Sequence, residues 1–494
     1  MVDFHAICTG PAFDLAGVPF MTLYLQLAET LGSRIEQGLY RPGDRLPSVR
    51  AMSIEHGVSL STVQQAYRLL EDRGLAEPRP KSGYFVPAAR QMPPLPAIAR
   101  LAQRPVEISQ WEQVLALVST VPRPDVVQLG RGMPDISSAS LKPLTRSLAR
   151  LNRHADARAL AYDGIHGSPL LREEIARLLV DSGCRANASD VMITTGCHEA
   201  LSVSIRAVCE PGDIVAVESP SFHGAMQSLK GLGMKALEIP TDPVNGISLE
   251  ALELALEQWP IKAIQVTPNC NNPLGYIMPE SRKRALLALA QRYDVAIIED
   301  DVYGDLAYTY PRPRTIKSYD DDGRVLLCGS FSKVLAPGLR IGWMVPGRYA
   351  DRVLHMKYIS TGASALQPQL AIAEFIGNGH YEPHLRRMRA QYQRGRDLMI
   401  DWVARYFPEG TRASRPQGGF LLWVELEEGF DTLRLDKALR QRGVQVAVGC
   451  IFSASGKYRN CLRMNYAAPP TPAIEQAVRR VGESACELLE PCEA

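Results

Sequence analysis

No charge of one sign dominates this chain of 494 residues: 55 Lys and Arg face 53 Asp and Glu, a net charge of +2. That balance excludes a protein that coats nucleic acid by bulk charge. With 22% charged and 46% hydrophobic residues, it also excludes a disordered chain. Any nucleic-acid contact has to come from local placement. The ten cysteines (Cys8, Cys184, Cys197, Cys209, Cys270, Cys328, Cys450, Cys461, Cys486, Cys492) include no CxxC pair, so no metal site is expected. No apolar run approaches the roughly 18 residues that a membrane span needs. No internal repeat or low-complexity tract is visible. With no secretory leader at the start, a cytoplasmic protein with reduced thiols and no membrane segment is expected.

What is present is organised in three parts, and the length allows for about three domains. The stretch "PAARQMPPLPAIARLAQRP" (87–105) is dense in proline, which stiffens the chain and removes backbone donors. It predicts a linker over 88–114, separating residues 1–87 from residues 115–494. Beyond it, "VMITT" (191–195), "IVAVE" (214–218), "AIQVT" (263–267), "VAIIED" (295–300) and "VLLCGS" (325–330) are short runs rich in β-branched residues. Amphipathic segments such as "LLREEIARLLVD" (170–181) and "SRKRALLALAQRY" (281–293) lie between many of them. Strands buried on both faces and alternating with helices predict an α/β fold with a mostly parallel sheet, over about 150–380. A smaller α+β part is expected over about 381–494.

The first part reads as three helices and a hairpin. "TLYLQLAETLGSRIEQ" (22–37) is amphipathic and ends at Gly38. Two further short helices, starting near Ser48 and Ser59, flank the turn His56-Gly57-Val58, and each serine is suited to cap free amides. A short glycine-containing turn between two such helices is a helix-turn-helix pattern. On the second, Leu60, Val63, Tyr67 and Leu70 are expected to face inward, leaving Ser61, Thr62, Gln64, Gln65 and Arg68 outward. Glutamine can hold adenine bidentately, and hydroxyls suit phosphate. "AEPRPKSGYFV" (76–86) reads as a two-stranded wing tipped by Arg79, Lys81 and Gly83. Charge does not separate this from a small interaction module, since residues 19–87 hold eight Lys and Arg against seven Asp and Glu. The stretches "PGDRLPSVRAMS" and "GVSLSTVQQAYRLLEDRGLAEPRPKSGYFV" together resemble the GntR family of winged-helix regulators. That resemblance implies contacts to double-stranded DNA from Arg45, Arg50, Ser59 to Thr62 and the wing tip. Leu60 stands where relatives often carry arginine.

The second part offers the pieces of a cofactor site. "LCGSFSKVLAPGLRIGW" (327–343) sets Lys333 among small and hydroxyl residues, with Arg340 seven positions on. "IIEDDVYGD" (297–305) ends a hydrophobic strand with Asp300, near the sheet edge where α/β proteins bind ligands. "TPNCNNPLG" (267–275) offers Asn272 before a proline, and "TTGCHEAL" (194–201) is a strand, a glycine turn and a helix start, which favours phosphate. Alone, each is an ordinary turn or cap. Their order and separation resemble the aspartate-aminotransferase superfamily of fold type I pyridoxal phosphate enzymes, over about 115–490. The resemblance implies that Lys333 forms the Schiff base, Asp300 pairs with the pyridine nitrogen, and Asn272 and Tyr303 contact the ring oxygen. Ser330, Arg340 and the Gly196-Cys197-His198 turn would hold the phosphate, and Phe222 would stack on the ring. Tyr162 would reach the phosphate of a neighbouring subunit in a homodimer, and Arg463 would clamp a ligand carboxylate through its planar fork. Cys197-His198, Phe222 and Leu274 depart from the residues more usual there.

A winged helix fused to such a domain resembles the MocR subfamily of GntR regulators. The implied function is transcription control by an amine, an amino acid or pyridoxal phosphate itself, sensed at Lys333. The competing expectation is a working aminotransferase with an accessory DNA-binding module.

Overall fold

The computed structural model describes residues 23–72, 75–79, 82–87, 92–99, 104–119, 125–153 and 161–489. Two compact units meet in sequence at Gln91 and Met92. In the first, α1 (Leu23–Glu36), α2 (Val49–His56) and α3 (Leu60–Asp72) precede the antiparallel strands β1 (Glu77–Arg79) and β2 (Gly83–Phe85). Ser48 Oγ accepts from Ala51 N and Ser59 Oγ from Thr62 N, both at 3.1 Å, so each serine satisfies an amide that its helix leaves free. Gly57 takes the left-handed conformation (φ +62°) that closes the turn between α2 and α3.

Val63, Ala66, Tyr67 and Leu70 of α3 are buried against Leu27, Leu31 and Met52. Tyr67 also stacks on Tyr84 of the wing, ring centroids 4.4 Å apart. Burial of each large apolar side chain contributes about 1.5–3 kcal/mol. Leu60 corrects the expectation from periodicity. It is 48% exposed because it is the first residue of α3 and projects beyond the core, and Ala66 takes the fourth inward position.

The larger unit is built on an eight-stranded sheet in the spatial order 192–194, 342–345, 325–330, 296–300, 261–266, 214–219, 235–242, 246–247. The five strands from 325–330 to 235–242 run parallel. Strand 342–345 is antiparallel to both its neighbours. The runs predicted from β-branched content are these strands, buried on both faces as such sequences require. Asp300 and Ser330 end adjacent parallel strands, Ala296–Asp300 and Val325–Ser330, so the carboxyl edge of the sheet gathers their side chains.

The C-terminal part is α+β. An antiparallel sheet ordered 412–413, 421–425, 461–465, 447–448 is accompanied by helices Tyr381–Tyr406, Thr432–Gln441 and Pro472–Leu489. Its strand 461–465 carries Arg463, opposite Trp423 in register. Asn465 on that strand binds the 129–133 loop. Its N–H donates to Leu129 O at 2.7 Å and its Nδ2 to Met133 O at 2.8 Å.

Much of the segment expected as a linker is attached to this unit. Ala413 N donates to Pro94 O at 2.8 Å, and Ala97 N to Glu425 Oε2 at 2.9 Å. Val106 and Ala236 exchange both backbone hydrogen bonds, at 2.9 and 3.1 Å. Helix Trp111–Val118 then buries Val114 and Leu117 in the core. Proline removes amides but leaves carbonyls, so the segment bonds through the Pro94 and Val106 carbonyls and through the remaining amides of Ala97 and Val106. Hydrogen exchange tests this. Glu425→Ala should speed exchange at Ala97 by about tenfold, as loss of a hydrogen bond to a charged group predicts, and leave Val106 unchanged. Equal rates at Ala97 in both proteins would contradict the attachment.

Candidate functional site

One pocket at the carboxyl edge of the large sheet is lined by Cys197, His198, Phe222, Asn272, Asp300, Tyr303, Ser330, Ser332, Lys333 and Arg340, with Leu201 and Val302. With the solvent at its mouth, it spans about 510 Å³ of atom-free space. Ten of these positions come from segments far apart in the chain, brought together by the parallel strands and the helix Cys197–Val208. Lys333 Nζ donates to Gly132 O at 2.7 Å. Asp300 is buried, and its Oδ1 accepts from Val302 N at 3.3 Å. The Cys197 thiol lies 3.7 Å from the same oxygen. Tyr303 is buried, and its hydroxyl has no partner among the described residues.

At the other end, Gly196 precedes the helix 197–208 with φ +78° and no side-chain cap. A Cβ there would fall 2.4 Å from Arg340 Nη2, so only glycine admits the guanidinium. Arg340 itself is left-handed (φ +53°), bonded through Nη2 to Thr195 O at 3.3 Å and through Nη1 to Ser332 Oγ at 3.5 Å. Ser330 Oγ accepts from Ser332 N at 3.1 Å. Free helix amides, two serine hydroxyls and an arginine form an anion cradle.

Arg463 is fully buried behind this pocket. Nη1 donates to Asn272 Oδ1 at 2.9 Å and Nη2 to Gly130 O at 2.6 Å, while Nε has no partner. Its guanidinium lies 4.9 Å from the centre of the Phe452 ring. Burial depresses its pKa to about 10. Burial and then the Arg463 charge bring Lys333 down to about 8. Burial pushes the Asp300 carboxyl up to about 6. His198 is lowered by burial, then by the charges of Lys333 and Arg340, so its imidazole is held neutral. It meets Phe222 edge to face at 5.6 Å between centroids.

Of the residues singled out from sequence, Cys197, His198, Phe222, Asn272, Asp300, Tyr303, Ser330, Lys333 and Arg340 therefore surround one space, with Gly196 against Arg340 and Arg463 bonded to Asn272. Tyr162 is not among them. It is 98% exposed. Ser332 and the main-chain oxygens of Gly130 and Gly132 were not anticipated. Ser332 had a readable signal, the second hydroxyl of "SFSK". A carbonyl oxygen carries none.

On the first unit, Arg45, Arg50, Ser59, Ser61, Gln64, Gln65, Arg68 and Gly83 are exposed, and Thr62 is half-buried. Ser59 Oγ also bonds Ser61 Oγ at 2.7 Å and Thr62 Oγ1 at 2.8 Å, which orders the hydroxyls at the start of α3. The Arg45 guanidinium approaches Gly83 of the wing, with Nε 3.6 Å from where a Cβ would sit. Arg79 is paired with Glu77 at 2.7 Å and lies over Phe85. Lys81 lies outside the described residues.

Comparison with known proteins finds relatives of both units. Residues 124–481 match the aminotransferase class I and II family, and residues 23–86 match the bacterial regulatory proteins of the gntR family. The HTH-type transcriptional regulator YjiR of Escherichia coli is 55% identical over 95% of this chain and 100% of its own. The probable rhizopine catabolism regulatory protein MocR of Rhizobium meliloti is 30% identical, covering 85% of each chain. Among solved structures, a kynurenine aminotransferase from Pyrococcus horikoshii, crystallised with PMP, superposes with a TM-score of 0.70 at 31% identity, over 78% of this chain and 96% of that one. The chain belongs to the class I and II aminotransferase family and, with its gntR-family head, to the MocR-type regulators.

Proposed function

We propose that this protein is a pyridoxal phosphate-dependent transcription regulator. It binds operator DNA through α3 and the wing and senses an amino acid or amine at Lys333. The observation that carries the reading is the convergence of Lys333, Asp300, Tyr303, Asn272 and Arg340 on one pocket, in a chain whose other unit presents a polar α3. The residues fit the cofactor. The unpartnered Tyr303 hydroxyl supplies a donor for a ring oxygen, Asp300 an acid for the ring nitrogen, Phe222 an aromatic face, and the Gly196–Arg340 cradle a phosphate seat.

When bound, pyridoxal phosphate supplies a carbonyl carbon that condenses with primary amines and a ring that withdraws electrons. Lys333 is the amine that holds it. With a pKa near 8, Lys333 is partly unprotonated at neutral pH and able to take or return a proton. Arg463 binds the carboxylate of an amino-acid effector. Doing so exchanges its bonds to Asn272 Oδ1 and Gly130 O for a charged partner. An effector amine that takes the place of Lys333 on the cofactor would free Nζ, which can then donate to Gly132 O as it does here. Both changes fall on the 130–132 segment, and this differential contact is what can shift a two-state equilibrium. Tyr162 serves a second copy of the chain in a homodimer. The same groups would support transamination, so slow turnover is compatible with the regulatory role. A cytoplasmic location follows from acting on DNA.

Borohydride trapping tests the cofactor site. The pyridoxyl label should map to Lys333 and be absent in Lys333→Ala; label on another lysine would refute the assignment. Capture of the cofactor by the free amine should accelerate as pH rises through about 8. Arg463→Met removes a charge that disfavours the ammonium form. The pKa of Lys333 should therefore rise and the profile move to higher pH. A profile that stays in place or moves down would contradict the electrostatics.

DNA binding has its own signature. Arg50→Ala should weaken all sequences alike and reduce the slope of log affinity against log salt by about 1. Gln65→Ala should cost about 1–3 kcal/mol on the preferred sequence only. Fluorescence anisotropy separates the two, and equal effects of both variants on every duplex would remove α3 as the reading helix.

A further inference from the structure

Beneath the pocket lies a buried carboxylate that takes no part in the steps above. Glu218, next to last in the strand Ile214–Ser219, is 1% exposed and forms no ion pair among the described residues. Its Oε2 accepts from Thr267 N at 2.9 Å and Asn271 Nδ2 at 3.0 Å, and its Oε1 accepts from the Tyr276 hydroxyl. All three partners are donors, which suits a group that only accepts. Burial pushes Glu218 up to about 7, and the bonds from Tyr276 and Thr267 oppose that rise.

The three donors belong to one short segment. Asn271 Oδ1 accepts from Leu274 N at 3.0 Å, and the main chain of Asn271 bonds to both Gly275 N (2.7 Å) and Tyr276 O (3.0 Å). The carboxylate and these bonds close the turn 267–276 from both ends. Asn272 sits inside that turn, buried, and its Oδ1 is the acceptor for Arg463 Nη1. Asn272 is thus held from below by a network anchored on Glu218 and is shared above between Arg463 and the pocket.

We propose that Glu218 is a positioning residue, fixing Asn272 so that one amide serves both the cofactor ring oxygen and Arg463. The inference rests on the reading of the pocket as a pyridoxal phosphate site. A hydrocarbon of equal size would fill the same space but leave three donors unpaired. Glutamine would turn an NH₂ group toward one of them, so the turn would have to move.

The test uses the full-length protein loaded with pyridoxal phosphate. A donor at the ring oxygen stabilises its anionic form, so weaker donation raises the pH midpoint of the cofactor absorption band. Glu218→Gln should raise that midpoint by about half a unit or more and weaken pyridoxal phosphate binding by about three- to tenfold. In an Asn272→Ala background both effects should vanish, because the group through which Glu218 acts is gone. Tyr276→Phe removes one donor and keeps the carboxylate. It should move the midpoint in the same direction by less, and it stands in if Glu218→Gln does not fold. An unchanged midpoint in both variants, or an undiminished effect in the Asn272→Ala background, overturns the proposal. Wild-type protein that traps no pyridoxal phosphate on Lys333 instead overturns the reading of the site, and that control comes first.

Discussion

Cations gathered with no hydrogen-bonded counter-ion among the described residues are the constraint on which the rest of this structure turns. Among the described residues, every hydrogen bond from the Arg463 guanidinium, the Lys333 ammonium and the Arg340 guanidinium ends on a neutral oxygen. Among the described residues, Asp300 is the only carboxylate lining the pocket. Burying an ion without a partner costs on the order of several kcal/mol. The depressed values at Lys333 and Arg463 express that cost. A ligand with a phosphate at one end and a carboxylate at the other would relieve both ends of the pocket.

The fold holds these charges apart and in register. Adjacent parallel strands deliver Asp300 and the Ser330–Lys333 segment, and the antiparallel return through Ile341 places Arg340 at the start of helix 197–208. Arg463 arrives from a different sheet, on a strand that also binds the 129–133 loop through Asn465. Arg463, proposed above to bind an effector carboxylate, thus belongs to a part of the chain with its own sheet. Residues 92–99 are bonded to that sheet at Ala413 and Glu425, and Val106 is bonded to the large sheet at Ala236.

Legibility in the sequence followed the physics of each element. The central strands were readable because strands covered on both faces are continuous apolar runs, and the caps at Ser48 and Ser59 because a hydroxyl before a helix has one job. Leu60 was misplaced because helical spacing does not reveal where the first turn leaves the core. The attachment of 92–110 was hidden because proline content argues for stiffness and says nothing of where carbonyls bond. The pocket side chains were found through motif order. The main-chain oxygens of Gly130 and Gly132, and the donors gathered on Glu218, depend on tertiary approach and have no local signature.

The central claim is that occupancy of the Lys333 pocket is read out on DNA. The direct measurement is anisotropy of full-length, pyridoxal phosphate-loaded protein on its upstream duplex at fixed salt, across a panel of amino acids and amines, with steady-state transamination followed in parallel. The account predicts that at least one ligand changes DNA affinity by about fivefold or more, and that Lys333→Ala abolishes this response. Turnover at about 1 per second or faster, with DNA affinity indifferent to every ligand, would contradict it and make the protein an aminotransferase.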